Sequence, residues 1–248
     1  MTNPKTLVLD IETWPIIAAV FGLKDQFIGL NQIRTDWSLM AYGAKWFGEK
    51  EVFYQDTHLQ KDLRDDSKLL KNVWKLLDEA DIVITQNGQS FDGPKLNARF
   101  MLHKMTPPSP YRHLDTYRIA KRVAEFTSNK LEYLTDKLCT KFKKVLHPKF
   151  SGMVLWNECE KGNLDAWKEM KFYNIHDVLS TEELYTKLKA WAPETMPTPH
   201  VESHKVGKCG ACGVFSLIRS GKRIDRLGVY QRYQCTKCGR WIKGERIK

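Results

Sequence analysis

The chain of 248 residues contains no apolar run long enough to cross a membrane, which takes about 20 residues, so no membrane role is expected. It has no internal repeat and no low-complexity tract, which excludes a solenoid or an extended disordered array. No secretory signal is recognisable, and an intracellular, cytoplasmic setting that keeps thiols reduced is the expectation that follows. Acidic residues are scarce at one end. From His200 to Lys248 three Asp/Glu stand against twelve Lys/Arg, a formal +9 that leaves +2 of the chain's +11 for residues 1–199.

What is present suits an α/β domain with a small appendage. The 42% apolar fraction is enough for a sizeable core. Strands are expected near 5–11, 38–47 and 51–55, then a helix near 66–79, a strand near 81–86 and a helix near 91–104. Mainly helical segments continue to about 191, including a long helical pattern from Leu164 to Trp191. This order predicts a mixed sheet flanked by helices. Three prolines within seven residues between Ala192 and His200 read as a semi-extended linker. The expected division is a domain over 1–191, a linker over 192–205 and a basic module over 206–248.

Three segments carry chemistry. In Leu7-Val8-Leu9-Asp10-Ile11-Glu12 the apolar residues Leu7, Leu9 and Ile11 face one way, and Asp10 and Glu12 project side by side on the other. Two buried like charges call for a cation, and hard oxygen donors favour Mg²⁺ or Mn²⁺; a solvated strand end is the plain alternative. The run Ile82-Val83-Ile84-Thr85-Gln86-Asn87-Gly88 leads through a glycine turn to Phe91-Asp92, placing Asp92 where a strand gives way to a helix. Tyr173 and Asp177, four apart in the long helical pattern, share a helix face.

Together, Asp10-x-Glu12, Asn87-x-x-x-Phe91-Asp92 and Tyr173-x-x-x-Asp177 resemble the three motifs of the DEDD (DnaQ-like) superfamily of 3′–5′ exonucleases on a ribonuclease H-like fold. The tyrosine four residues before the last aspartate resembles the DEDDy branch, and small phage or bacterial exonucleases are similar. The other branch has a histidine five residues before that aspartate, where this chain has Phe172. The resemblance covers roughly residues 5–190. It implies that Asp10 bridges two Mg²⁺ or Mn²⁺ ions, that Glu12 and Asp177 complete the site that activates water, and that Asp92 holds the second ion. It also implies that Tyr173 orients water or phosphate, and that Asn87 and Phe91 lie beside the substrate.

Four neighbours have two readings each. Trp14 is either a stacking wall for the terminal base or core packing. Asp115 is either a residue at the edge of the metal site or a helix N-cap. His176 is a helix-surface or ligand-orienting group. The stretch Phe142–Trp156, with Lys141, Lys143, Lys144 and Lys149 in or beside it, is either a mobile basic loop near the substrate or a solvated surface.

In the basic end, Cys209-x-x-Cys212 and Cys235-x-x-Cys238 are separated by 22 residues, close to the spacing of a structural Cys₄ zinc site. Gly213 and Gly239 follow the two pairs and permit tight knuckles. Strands are expected over Val214–Ile218 and Gly228–Gln234, so the unit reads as a zinc ribbon. A module of about 40 residues needs such a staple. Two disulfides are the alternative in an oxidising compartment; Cys139 and Cys159 read as ordinary buried thiols. Arg219, Arg223, Arg232 and Arg240 interleave with Tyr230, Tyr233 and Trp241, which suits phosphates and stacked bases, or otherwise solubility and docking on an acidic protein.

The expected function is a metal-dependent 3′–5′ exonuclease acting on single-stranded or 3′-ended DNA, with RNA not excluded. A replication or repair protein is a further expected partner. A structure-selective endonuclease and a non-catalytic replisome adaptor are the competing readings.

Overall fold

A computed structural model describes residues 3–24, 26–144, 149–193, 196, 198–200 and 203–247. The chain runs through strand β1 (Thr6–Thr13), a short excursion pairing β2 (Ile17–Ala18) with β3 (Ile33–Thr35), then β4 (Leu39–Trp46) and β5 (Phe53–Asp56). Helix α1 (Ser67–Glu79), strand β6 (Ile82–Thr85), helix α2 (Asp92–Leu102) and strand β7 (Arg112–Asp115) follow. After them come helices α3 (Thr116–Val123), α4 (Leu131–Leu138), α5 (Met153–Glu160) and α6 (Leu164–Leu188). The five main strands lie in the order β5-β4-β1-β6-β7; β1, β6 and β7 are parallel, β4 is antiparallel to β1, and β5, antiparallel to β4, runs in the direction of β1. This is the RNase H-like mixed sheet flanked by helices.

Strand β1 sits at the centre because both faces of its first half are apolar. Leu7, Leu9 and Ile11 pack on α1 and α2 through Leu69, Val73, Leu96 and Phe100, while Val8 packs with Ile119, Leu134 and Val178 of α3, α4 and α6. Helix α6 lies close over β4 because Gly43 has no side chain. A Cβ at Gly43 would stand 2.7 Å from Asn174 Oδ1 and 2.9 Å from Val178 Cγ2. That closeness sets the depth of the groove between α6 and the sheet.

The carboxyl-terminal strands β8 (Leu217–Asp225), β9 (Gly228–Cys235) and β10 (Trp241–Arg246) form a separate antiparallel sheet around Cys209, Ala211, Cys235 and Ile242. It docks on the end of α6 through Arg240, which is 2% exposed and donates to the carbonyls of Lys189 at 2.9 Å and Ala192 at 3.3 Å. The first is the carbonyl of the α6 C-cap, which a helix end leaves without an intrahelical donor, and the second belongs to the turn just past it.

Some expectations are corrected. Strand β7 replaces part of the stretch read as helical, because its sequence Arg-His-Leu-Asp buries only its last two residues and carries no visible alternation. The β2–β3 ribbon and β10 were not foreseen, and the strand expected over 214–218 runs instead over 217–225. Of the expected basic loop over 142–156, residues 145–148 lie outside the described residues and 153–156 belong to α5.

Replacing Arg240 by Ala strands two carbonyls at a buried junction. The expected cost is about 1–3 kcal/mol in denaturant titration, with faster amide exchange over 185–192. Unchanged exchange there would mean that the ribbon is held by other contacts.

Candidate active site and cysteine cluster

Strand β1 delivers Asp10 and Glu12 to the face covered by α6, opposite Gly43 and Ala41 of β4. Asp92 opens α2, and its Oδ1 accepts the N–H of Ile11 at 3.1 Å, tying the start of that helix to the middle of β1. Asp177 comes from α6, one turn beyond Tyr173. The four acids interact electrostatically: Asp10 feels Asp177, Glu12 and Asp92, and Glu12 feels Asp177 and Asp92.

Burial pushes all four upward, and like charge adds to it at Asp10, Glu12 and Asp92. Desolvation, reinforced by Asp177, raises Glu12 to about 8. Desolvation raises Asp92 to about 7 despite the Ile11 N–H, and lifts Asp10 and Asp177 above the ordinary carboxylate range. Such a set ionises fully only beside added positive charge.

One such charge is already there. Lys144 Nζ lies 2.7 Å from both Asp177 Oδ2 and the Tyr173 hydroxyl. Burial acts to lower its pKa, but Asp177 and Tyr173 outweigh this and hold it above the usual lysine value. The segment carrying Lys144 is fastened to α6. Glu183 accepts the N–H groups of Thr140 at 2.8 Å and Phe142 at 2.7 Å, and His176 Nε2 donates to the Lys143 carbonyl at 2.6 Å.

Asn174, fully buried, donates to Asp10 Oδ2 at 2.6 Å. Asp177 Oδ1 and Asn174 Oδ1 are buried without hydrogen-bond partners, and a buried carboxylate oxygen aimed into an acidic site fits a divalent cation. The carboxylate oxygens are nevertheless more widely spaced than a closed ligand set. Among the described residues the four cysteines form the only group of three or more such side chains whose ligand atoms all lie within 4.8 Å of one another.

Asp115 serves as the brace of the site. Only 2% exposed, it caps α3 by accepting the Tyr117 N–H at 3.0 Å and also accepts the N–H groups of Asn87 at 2.8 Å and Gln89 at 3.1 Å. Asn87 stands at φ 65° in the turn that leads to Asp92, a conformation asparagine tolerates better than most residues. With its oxygens taken by backbone, Asp115 holds the turn rather than substrate, which corrects the substrate-binding expectation. Trp14 is also corrected: at 1% exposure it packs edge-on against Trp167 at 5.8 Å, so no base can reach its ring. Phe91 is partly exposed, and Asn87 lines an opening of about 290 Å³ together with Tyr117, Lys130 and Lys144.

The sequence had marked Lys144 only as one of several basic residues, and Asn174 had gone unremarked. An asparagine inside a helix, between Tyr173 and Asp177, was the available signal for Asn174, since asparagine disfavours helix interiors.

A family model described as RNase_H superfamily matches residues 29–189. The chain belongs to the RNase_H superfamily. The matched span begins after β1, so Asp10 and Glu12 lie outside it. Among solved structures, the family B DNA polymerase of the hyperthermophilic archaeon Pyrobaculum calidifontis is similar at 13% identity with a TM-score of 0.51. The likeness covers 77% of this chain and 26% of the polymerase chain, and shows the fold alone. No curated protein matches by sequence. The superfamily's fold supports nuclease action on nucleic acid with divalent metal ions.

The cysteines form the second centre. Cys209 and Cys238 sulfurs are 3.7 Å apart and Cys212 and Cys235 sulfurs 3.6 Å apart. Tetrahedral bonds of about 2.3 Å place sulfurs about 3.8 Å apart, whereas a disulfide needs about 2.05 Å. All six cysteines are free thiols. The N–H groups of Ala211 and Cys212 point at the Cys209 sulfur, those of Lys237 and Cys238 at Cys235, and Gly213 and Gly239 close the knuckles at φ 72° and 77°.

Two outcomes follow. Asp115→Ala should cost about 1–3 kcal/mol in thermal or chemical unfolding by stranding backbone donors, and an unchanged midpoint would remove its bracing role. Stripping metal with a strong chelator should make residues 209–246 protease-sensitive while the five-stranded sheet persists. Purified protein free of zinc by elemental analysis, yet equally resistant, would contradict the cluster's assignment.

Proposed function

We propose that the chain is a divalent-metal-dependent 3′–5′ exonuclease of the DEDDy type that releases nucleoside 5′-monophosphates from DNA or RNA. The observation that carries this reading is that Asp10 and Glu12, half-buried on β1, feel the charge of the buried Asp92 and Asp177, with the Tyr173 hydroxyl and the Lys144 ammonium against Asp177. Asp10, Glu12 and Asp177 would hold one Mg²⁺ or Mn²⁺ ion, and Asp10 with Asp92 a second. Bound there, such ions supply Lewis-acid stabilisation of the attacking and leaving oxygens of an in-line displacement.

The chain's own groups have separate tasks. Burial, with Asp177 and Glu12 nearby, keeps the Tyr173 phenol neutral well above its ordinary pKa, so it donates a hydrogen bond to water or phosphate and does not act as base. Lys144 offers positive charge to the scissile phosphate from the same side. Asn174 fixes the orientation of Asp10, Asn87 borders the opening through which a strand end arrives, and the exposed Phe91 ring is available beside the Asp92 turn. Water attacks phosphorus and the 3′-oxygen of the preceding nucleotide leaves, which frees a 5′-monophosphate.

Residues 1–191 are assigned to catalysis, 192–205 to the linker and 206–248 to a zinc-bound ribbon that retains nucleic acid. The ribbon's charge and the cysteine geometry support this assignment. Likeness in fold to a family B DNA polymerase supports a replication or repair setting.

Digestion of 5′-labelled single-stranded DNA and RNA with Mg²⁺ or Mn²⁺ should give a one-nucleotide ladder that needs the metal. Asp10→Ala and Asp177→Ala should fall to background, and Tyr173→Phe and Lys144→Ala should lose about 10–100-fold. Undiminished activity of Asp177→Ala sinks the assignment, and cutting of a closed single-stranded circle replaces it with endonuclease action.

A further inference from the structure

We propose that the cleft between the end of α6 and the ribbon is a second subsite for single-stranded nucleic acid, filled by nucleotides several positions away from the scissile bond. This rests on the nucleic-acid reading of the carboxylate site. The cleft, about 690 Å³, is lined by Arg122 from α3, Trp191 after α6, and Arg223, Trp241 and Lys243 from the ribbon. No carboxylate is among its described lining residues.

Trp191 is 72% exposed and Trp241 38% exposed, and two solvent-facing indoles in one cationic cleft are what sequence-tolerant base stacking requires. The Arg232 guanidinium lies 4.1 Å over the Trp241 ring and adds positive charge beside it. Lys243 pairs with Asp225 at 2.7 Å and lies 3.5 Å over the Tyr230 ring, so it contributes at partial strength. Cations alone would suit any polyanion, but the paired indoles select one that carries planar bases.

The cleft has a fixed position relative to the acids. Arg240 clamps the ribbon to the Lys189 and Ala192 carbonyls at and just past the end of α6, and Asp177 and Leu188 lie eleven residues apart on that helix, about 16 Å along its axis. Helix α3 runs the same way, from its Asp115 cap beside the Asp92 turn to Arg122 at the cleft. At about 3.4 Å of rise per nucleotide, a strand with its 3′ end at the carboxylates reaches the cleft only when about five or more nucleotides long.

The test uses full-length, zinc-loaded protein with Ca²⁺ in place of Mg²⁺ or Mn²⁺, so that the carboxylates are charge-balanced for a strand end and binding is read apart from cleavage. Fluorescence anisotropy is measured with labelled dT20, rU20 and dT4. Trp191→Ala/Trp241→Ala should weaken binding of the 20-mers about tenfold or more while leaving dT4 binding within about twofold. Arg122→Glu/Arg223→Glu should flatten the salt dependence for dT20 by about 1.4 in log–log slope. Trp191→Phe/Trp241→Phe should restore much of the affinity, and circular dichroism and zinc content confirm folding. Tighter binding of dT20 or of rU20 supports the proposal and reports the preferred sugar. Wild-type affinity of the Ala pair for both 20-mers overturns it, as does equal loss for dT4 or equal competition by poly-glutamate at matched charge. Binding as expected from a protein that cleaves nothing with Mg²⁺ or Mn²⁺ added would refute the exonuclease reading and leave the subsite standing.

Discussion

Four carboxylates that desolvation drives toward neutrality, beside one half-buried ammonium, impose the constraint from which the larger domain follows. Their mutual repulsion opposes folding unless positive charge enters, so the fold must hold them in place by other means. Asp10 is held by Asn174, Asp92 by the Ile11 N–H, and Asp177 by Lys144. Behind these stands the hydrophobic packing of β1 on both faces, which makes the strand too well anchored to carry its acids out of the groove. Repulsion in the site is thereby borne by the core.

Lys144 is where this constraint meets the ligand. Its ammonium already pairs with Asp177, one of the acids expected to hold a cation, and ammonium and divalent cation would be rivals for the same carboxylate. The rivalry is graded by the tethers of the segment before it: Glu183 and His176 of α6 hold residues 140–143, so Lys144 can turn its side chain toward phosphate without the backbone leaving the site. The two centres also divide ligand chemistry cleanly. Hard oxygens gather where phosphate would be polarised, and soft thiolates gather where only a structural staple is needed.

The legible parts of the sequence were those in which chemistry and periodicity coincide. Asp10 and Glu12 could be placed on one face because β1 alternates without interruption, and Asp92 because a buried apolar run ends in Asn-Gly. The cysteine spacing carried its own geometry. Trp14 misled because an aromatic next to a candidate site reads alike whether it faces solvent or Trp167; only the packing of α5 and α6 over the end of β1 decides it. Strand β7 was missed because its parallel pairing with β6, and not its own sequence, makes it a strand. Lys144 was hidden among neighbouring lysines, since selection of one from the run depends on contacts with α6 that lie 29 and 33 residues onward.

Helix α6 joins these parts into one device. Its middle carries Tyr173, Asn174 and Asp177 into the acidic groove, its outer positions His176 and Glu183 secure the lysine segment, and the carbonyls at and just past its end receive Arg240 of the ribbon. A 25-residue helix packed on a sheet behaves as a stiff rod, so a displacement of the ribbon is transmitted to the acids only as rotation or sliding of the whole rod. Gly43 limits both movements, because Asn174 and Val178 rest where its side chain would be. A strand held by the ribbon, as proposed, would therefore pull on the rod without disturbing the spacing of the carboxylates, which is the arrangement a nuclease needs if it is to grip its substrate at one place and cut it at another.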